Sequence, residues 1–314
     1  MAYTNTDTNM TTSSALSAGM QTYYNRELLR TFEPNLVHLQ FGDEHRMPPH
    51  SGLVMNMRKL IPLETNTKAL SEGDPGESVM LAETEVTVQL QQYGEYARCT
   101  DKLDLTHLDM DIMRRTKLFG DAGARSIDAV VREELAKCAN VIYAGGKASR
   151  AELTAADKLT SRELRKAVKT LKKNHAQTFG GYFVAIIGPD TMYDLQEDEA
   201  FVKVSQHQDK ENIYTGEVGR LFGVRLVETT EAKIFEGAGA SGADVASVIV
   251  LGQYAYGVTS LKGAKPRVIV KPAGSAGTAD PLDQISTVGW KMDGFGAKLL
   301  QPEYAVRIEC GFSA

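Results

Sequence analysis

Two runs of alternating apolar and polar residues, Leu53–Leu63 and Glu85–Tyr93, stand out along the chain. A period of two predicts strands, and Ser71-Glu-Gly-Asp-Pro-Gly76 between them supplies turn chemistry. At about 3.3 Å per residue the first run reaches about 35 Å, against about 17–20 Å for an ordinary strand. A two-stranded ribbon of that reach is marginal alone in water and cannot bury both faces within its own domain. The pattern therefore asks for a partner surface, supplied by another copy of the chain.

Helical spacing brackets the ribbon. Met20, Tyr23, Tyr24, Leu28 and Leu29 recur at helical intervals until Pro34 interrupts them, and Arg46-Met-Pro-Pro-His50 reads as an extended break. After the ribbon, Thr106 is placed to cap a helix carrying Asp109 and Asp111 early and Arg114, Arg115 and Lys117 late, in accord with the helix dipole. Gly120 and Gly123 are expected to divide it from a second segment whose face is Ile127, Val130, Val131, Leu135, Cys138 and Ile142, ending at Gly145-Gly146.

Thr160-Ser-Arg-Glu163 has capping-box spacing for a helix through Leu164, Val168 and Leu171, with Lys166, Lys169, Lys172 and Lys173 on its solvated face. Short continuous apolar runs follow at 182–187, 222–227 and 245–251, as expected of buried strands in a compact α/β lobe. Alternation returns at 267–270, 284–291 and 304–310. With no helical segments between them, these strands are expected beside the spine helix and ribbon base, the lobe being an insertion. Trp290, the only tryptophan, is a core anchor.

Composition excludes several classes. The 314 residues are 42% hydrophobic and 24% charged, ordinary for a globular chain, and no apolar run approaches the roughly 18 residues a membrane-spanning helix needs. The Thr-, Ser- and Asn-rich residues 1–20 lack the form of a secretion signal and are expected to be disordered or to order only on a neighbour. Cys99, Cys138 and Cys310 have no metal or redox spacing and read as reduced core residues, with one disulfide as the alternative. A net charge of −5 argues against a broad basic face for nucleic acid, so DNA near this protein is enclosed rather than gripped.

The chemical motifs that offer themselves fail on context. Gly237-Ala-Gly239-Ala-Ser-Gly242 matches the dinucleotide-binding glycine pattern, but leads into a strand where that chemistry needs a helix. Gly145-Gly-Lys-Ala148 lacks the residues that complete a phosphate loop, and His38, His45 and His50 sit at irregular loop spacing. Neither enzyme activity nor a cofactor or metal is expected. Charge is instead concentrated at the ribbon tip, where Glu64, Glu72, Asp74, Glu77, Glu83 and Glu85 stand against a single Lys68. This tip is expected to dock on a basic surface of an adjacent subunit. The groups assigned to subunit contacts are Glu72, Asp74, Glu77, Arg114, Arg115 and Lys117.

The order and spacing of Leu60-Ile-Pro-Leu63, Leu70-Ser-Glu-Gly73 with Pro75, Val88-x-Leu90-x-Gln92-Tyr-Gly-x-Tyr96, Asp101-Lys-Leu103, Leu221-Phe-Gly-Val224, Asp280-Pro-Leu282 and Val288-Gly-Trp-Lys291 resemble the major capsid proteins of tailed bacteriophages, specifically the N4-like coat proteins. The resemblance runs from about residue 20 to the C-terminus. It implies an α+β chain with the Hong Kong 97-like capsid fold: an N-terminal arm (1–50), an extended E-loop hairpin with base strands (51–104), a peripheral domain with a long spine helix (105–154), an α/β axial domain (155–262) and peripheral return strands (263–314). It also implies a structural role: hexamers and pentamers closing into an icosahedral head around double-stranded DNA, with scaffold, portal and optional decoration proteins, assembled in a bacterial cytoplasm without a membrane partner. A bacterial nanocompartment shell, of the same fold, is the runner-up; a soluble nucleotide-binding α/β enzyme ranks below it.

Overall fold

The structure is a computed structural model that describes residues 36–48, 50–60, 83–102, 112–198, 220–261, 265–275 and 280–313, with isolated positions among the rest. Residues 1–20, expected to be disordered, the expected Thr106 cap and the acidic turn at 71–76, apart from Gly73, lie outside them.

The alternating runs pair as a ribbon at their base. Strand β2 (Val54–Leu60) is antiparallel to β3 (Glu83–Gln89), in register from Val54 opposite Gln89 to Leu60 opposite Glu83. The second run is not one ribbon strand, however. At Leu90, buried and donating its N–H to the Leu53 carbonyl at 2.8 Å, the chain leaves β2, and β4 (Gln91–Thr100) pairs with a different strand. That strand is β13 (Ile285–Leu299), whose fifteen residues are the backbone of a five-stranded sheet. β12 (Arg267–Lys271) and β11 (Tyr256–Leu261) pair successive halves of its other edge, and β1 (Asp43–Met47) lies parallel on β11. Residues 43–47, expected in the arm, are thus a strand of this sheet.

Helix α1 (Ile112–Leu135) is continuous, so Gly120 and Gly123 do not divide it. Both are buried, and tertiary packing outweighs their poor helix propensity. The helix also stops earlier than its apolar periodicity suggested. It tightens at Lys137 and Cys138, and the β-branched residues beyond form β5 (Val141–Tyr143).

A seven-stranded sheet fills the second half of the molecule. Its order is β5, β14 (Ala305–Cys310), β10 (Val245–Leu251), β6 (Phe183–Ile187), β8 (Val224–Glu228) and β7 (Arg220–Leu221), with β9 (Ile234–Phe235) on the end of β10. The expectation that residues 304–310 return to the ribbon base is therefore corrected: β14 pairs antiparallel with β10 and parallel with β5. All six of its residues are buried, and only a central position offers that.

Helix α2 (Ser161–Lys173) starts where the capping-box spacing places it, although Thr160 hydrogen-bonds the Glu163 carboxylate instead of a backbone N–H. It and α3 (Pro189–Gln196) cover one face of this sheet through Leu164, Leu171, Met192 and Leu195 against Phe183, Ala185, Val248 and Val250. The C-terminal half of α1 covers the other face, where Ile127, Val131 and Leu135 meet Val184, Ile186, Ile249 and Leu251. Burial on both faces is why β6 and β10 read as unbroken apolar runs. The same α1 cluster contains Trp290 and Phe295 of β13, so one helix backs both sheets.

The glycine-rich loop at 237–242 ends in a 3-10 turn and enters β10, not a helix. A Cβ at Gly239 would stand 2.6 Å from the Leu153 carbonyl oxygen, and Ala240 donates to that carbonyl, so these glycines serve close backbone packing.

Candidate assembly surfaces

The residues joining the arm segment to the body are polar and buried. The Asp128 carboxylate on α1 accepts the His38 backbone N–H at 2.7 Å, and its other oxygen lies 2.6 Å from His38 Nδ1. Tyr256 of β11 donates its hydroxyl to the His38 carbonyl. His38, Asp128 and Tyr256 are each at most 1% exposed. Burial pushes the Tyr256 hydroxyl far above its ordinary value, with the Asp128 charge adding to the effect, so it stays a donor. The arm is held further by Asn25, whose side-chain oxygen accepts the Val268 N–H at 2.8 Å, and by Leu28, which is fully buried.

A second polar system ties α1 to the seven-stranded sheet. Lys233, just before β9, donates to both Glu133 oxygens at 2.8 and 3.0 Å, and Arg132 reaches Glu133 and the Glu231 carbonyl. Burial alone would raise the Glu133 carboxyl; the hydrogen bonds from Lys233 and Arg132 more than reverse this and hold it below the usual carboxylate range. Glu309 of β14, wholly buried, takes a two-pronged grip from Arg150 at 2.6 and 2.7 Å and a contact from Arg307. Arg150 also lies 3.6 Å over the Phe235 ring. These charges meet a strand interior that would otherwise be apolar, and each is paired.

The outward surfaces have a different character. On the ribbon, Met57 and Val88 bury against Leu300, while the opposite face carries Asn56, Arg58 and Glu85 toward solvent. Leu53, Val54 and Met80 are 60%, 53% and 90% exposed, apolar area that one subunit leaves uncovered. Across the five-stranded sheet, on the faces of β4, β12 and β13, runs a groove of about 630 Å³ lined by Tyr96, Arg98, Ile269, Lys271 and Lys291. Gly289 forms its floor, since a Cβ there would meet the Glu95 carbonyl at 2.6 Å and Tyr96 Cβ at 2.7 Å.

The groups assigned to subunit contacts fall into three situations. Glu72, Asp74 and Glu77 lie outside the described residues, as does the side chain of Arg114, whose backbone is in the first turn of α1. Lys117 is exposed. Arg115 is only 7% exposed within the subunit, and Arg114, Arg115 and Lys117 stand in the first two turns of α1, whereas the dipole argument placed them late in a helix. His45 pairs with Asp43 on β1, and His38 is committed to Asp128. Asp128 and Glu309 were not singled out from the sequence, because a carboxylate whose partner is 90 or more residues away leaves no local signal.

Two sheets backed by one long helix, with a two-stranded ribbon beside them, make up an α+β subunit of the Hong Kong 97-like fold. The sequence model of the phage capsid protein family matches residues 83–308, more than half of the chain, and the chain belongs to that family. It is a structural protein of the phage capsid and not an enzyme. A search of curated protein sequences found no match. Among solved structures, the capsid of Ralstonia phage GP4 is similar at a TM-score of 0.69 and 15% identity, over 100% of this chain and 98% of that one. The cyanophage Pam1 capsid is similar at 0.65 and 17%, over 90% and 92%, and that of cyanophage P-SCSP1u at 0.64 and 15%, over 88% and 89%. At such identities the likeness is one of fold. The family match falls on phage capsids, which leaves the nanocompartment reading unfavoured.

Proposed function

We propose that many copies of this chain assemble as hexamers and pentamers into the icosahedral head of a tailed phage, enclosing its double-stranded DNA. The observation that carries this reading is the ribbon, whose apolar residues Leu53, Val54 and Met80 are exposed and whose tip sequence is acidic. In this reading the tip lies over an adjacent subunit through Glu72, Asp74 and Glu77. The arm (1–50) and E-loop (51–104) make contacts between subunits. The peripheral domain is α1 with the five-stranded sheet, and the axial domain is the seven-stranded sheet with α2 and α3, including β14. Scaffold, portal and optional decoration proteins complete the head, which forms in the bacterial cytoplasm. The N4-like affinity rests on the motifs quoted above.

Replacing Glu72, Asp74 and Glu77 together by Lys tests the tip contact. The reading expects a folded subunit, judged by circular dichroism, that no longer forms particles under electron microscopy. Normal particles from the triple variant would contradict it.

A further inference from the structure

Positive charge is dense along one helix of this acidic chain. Along α2 the buried positions are Leu164, Ala167, Val168 and Leu171, while Arg162, Arg165, Lys169, Lys172 and Lys173 are exposed on one stripe. Its single acid, Glu163, is buried and bonded to Thr160. At 1.5 Å per residue the stripe is about 16 Å long. Among the described residues, the side chains of Arg162, Lys169, Lys172 and Lys173 have no ion-pair partner.

The neighbouring hairpin adds two cations, since β7 and β8 place Arg220 directly opposite Arg225. Arg220 is stacked 4.4 Å over the Tyr182 ring and Arg225 is exposed. The hairpin tip, Phe222 and Gly223, has positive φ at both positions, as a two-residue type I′ turn requires. Arg165 of α2 lies 5.0 Å over the Phe222 ring, which joins stripe and hairpin into one band.

An ordinary solvated helix face mixes signs at i and i+4, and this one exposes no acid. A protein-binding face has an apolar centre; α2 exposes no apolar residue, and Phe222, the exposed apolar side chain of the band, lies beneath Arg165. We propose that this band contacts the phosphate backbone of double-stranded DNA without reading its sequence. The proposal rests on the reading that the shell encloses DNA, and it names the part of the subunit that touches it. Each neutralised phosphate releases a counterion, which is the source of the affinity. The chain's net charge of −5 opposes it, so contact is weak at physiological salt and the DNA stays mobile.

The test is fluorescence anisotropy of a labelled 20-base-pair duplex with the full-length unassembled chain, between 50 and 200 mM salt. About four phosphate contacts give a slope of log K against log salt near −4, a loss of about two orders of magnitude over this range, equal for unrelated sequences. The variant carrying Lys169→Gln, Lys172→Gln and Lys173→Gln is expected to retain its circular dichroism and to lose about 3 units of that slope. Arg225→Gln, in another element, is expected to lose about 1, and Lys271→Gln, on the other sheet, none. No duplex binding at 50 mM, or an unchanged slope in the triple variant, would overturn the proposal. So would tighter binding of a peptide of residues 61–82 at the same band, which would make it a subunit contact. Shell formation is read separately by electron microscopy: shells without duplex binding remove this surface alone, and duplex binding without shells removes the shell reading alone.

Discussion

His38 and Asp128 are 90 residues apart and meet in the interior, where one carboxylate receives both the backbone N–H and the ring of the same histidine. Because Tyr256 closes on the His38 carbonyl, a short stretch of chain ahead of β1 is locked to both the spine helix and the sheet. Asp128→Ala leaves two buried groups without their acceptor and is expected to cost about 3 kcal/mol. Asp128→Asn, which keeps an acceptor oxygen, should cost less. Denaturant unfolding of the unassembled subunit measures both, and equal small losses would show that the knot contributes little.

Gly289 faces Tyr96 across the β4–β13 pair, with no room for a side chain. Gly289→Ala is expected to push β4 off β13 and destabilise the subunit by about 1–3 kcal/mol, the cost typical of overpacking. Hydrogen exchange should then rise first in β4. Unchanged protection there would contradict the close approach.

Glu133, Glu134 and Asp194 are each held below the ordinary carboxylate range: burial raises them, and hydrogen bonds from cationic partners prevail, with Ser313 adding to the hold on Asp194. A depressed folded-state value means stability that is complete above the unfolded value and lost as pH falls through the folded one. For the glutamates the loss therefore begins below about pH 4.5. The melting temperature should be flat through neutrality and fall below that point. Lys233→Met, which removes the partner of Glu133, should make the fall shallower; an identical profile would count against this network.

Cys99, Cys138 and Cys310 are free and buried. Burial pushes the Cys138 and Cys310 thiols up, so little thiolate exists at neutral pH. A thiol reagent is expected to label none of the three in the native chain and all three in denaturant. Fast labelling of the native protein would contradict this.

Period-two alternation located β2, β3 and β12, and unbroken apolar runs located β6 and β10, because those patterns follow from which faces are covered. Pairing partners were not readable in the same way. β13 continues eight residues past Lys291, through Gly294 in a positive-φ bulge and Gly296 beneath Val88, and those glycines mask its strand character. β14 alternates like an edge strand because Arg307 and Glu309 are polar, yet Glu309 pairs both with Arg307 and with Arg150 from a distant turn, which makes the two tolerable in the interior. The burial of Arg115 was not legible, since a helix's charges do not reveal which side meets the sheet.

The central claim is that this chain builds a shell. The most direct measurement is negative-stain electron microscopy, with light scattering on the eluting fractions, of the full chain expressed alone and with a candidate scaffold protein. The account predicts hexamers, pentamers or closed icosahedral particles in at least one of the two preparations. A chain that remains a folded monomer in both would contradict it.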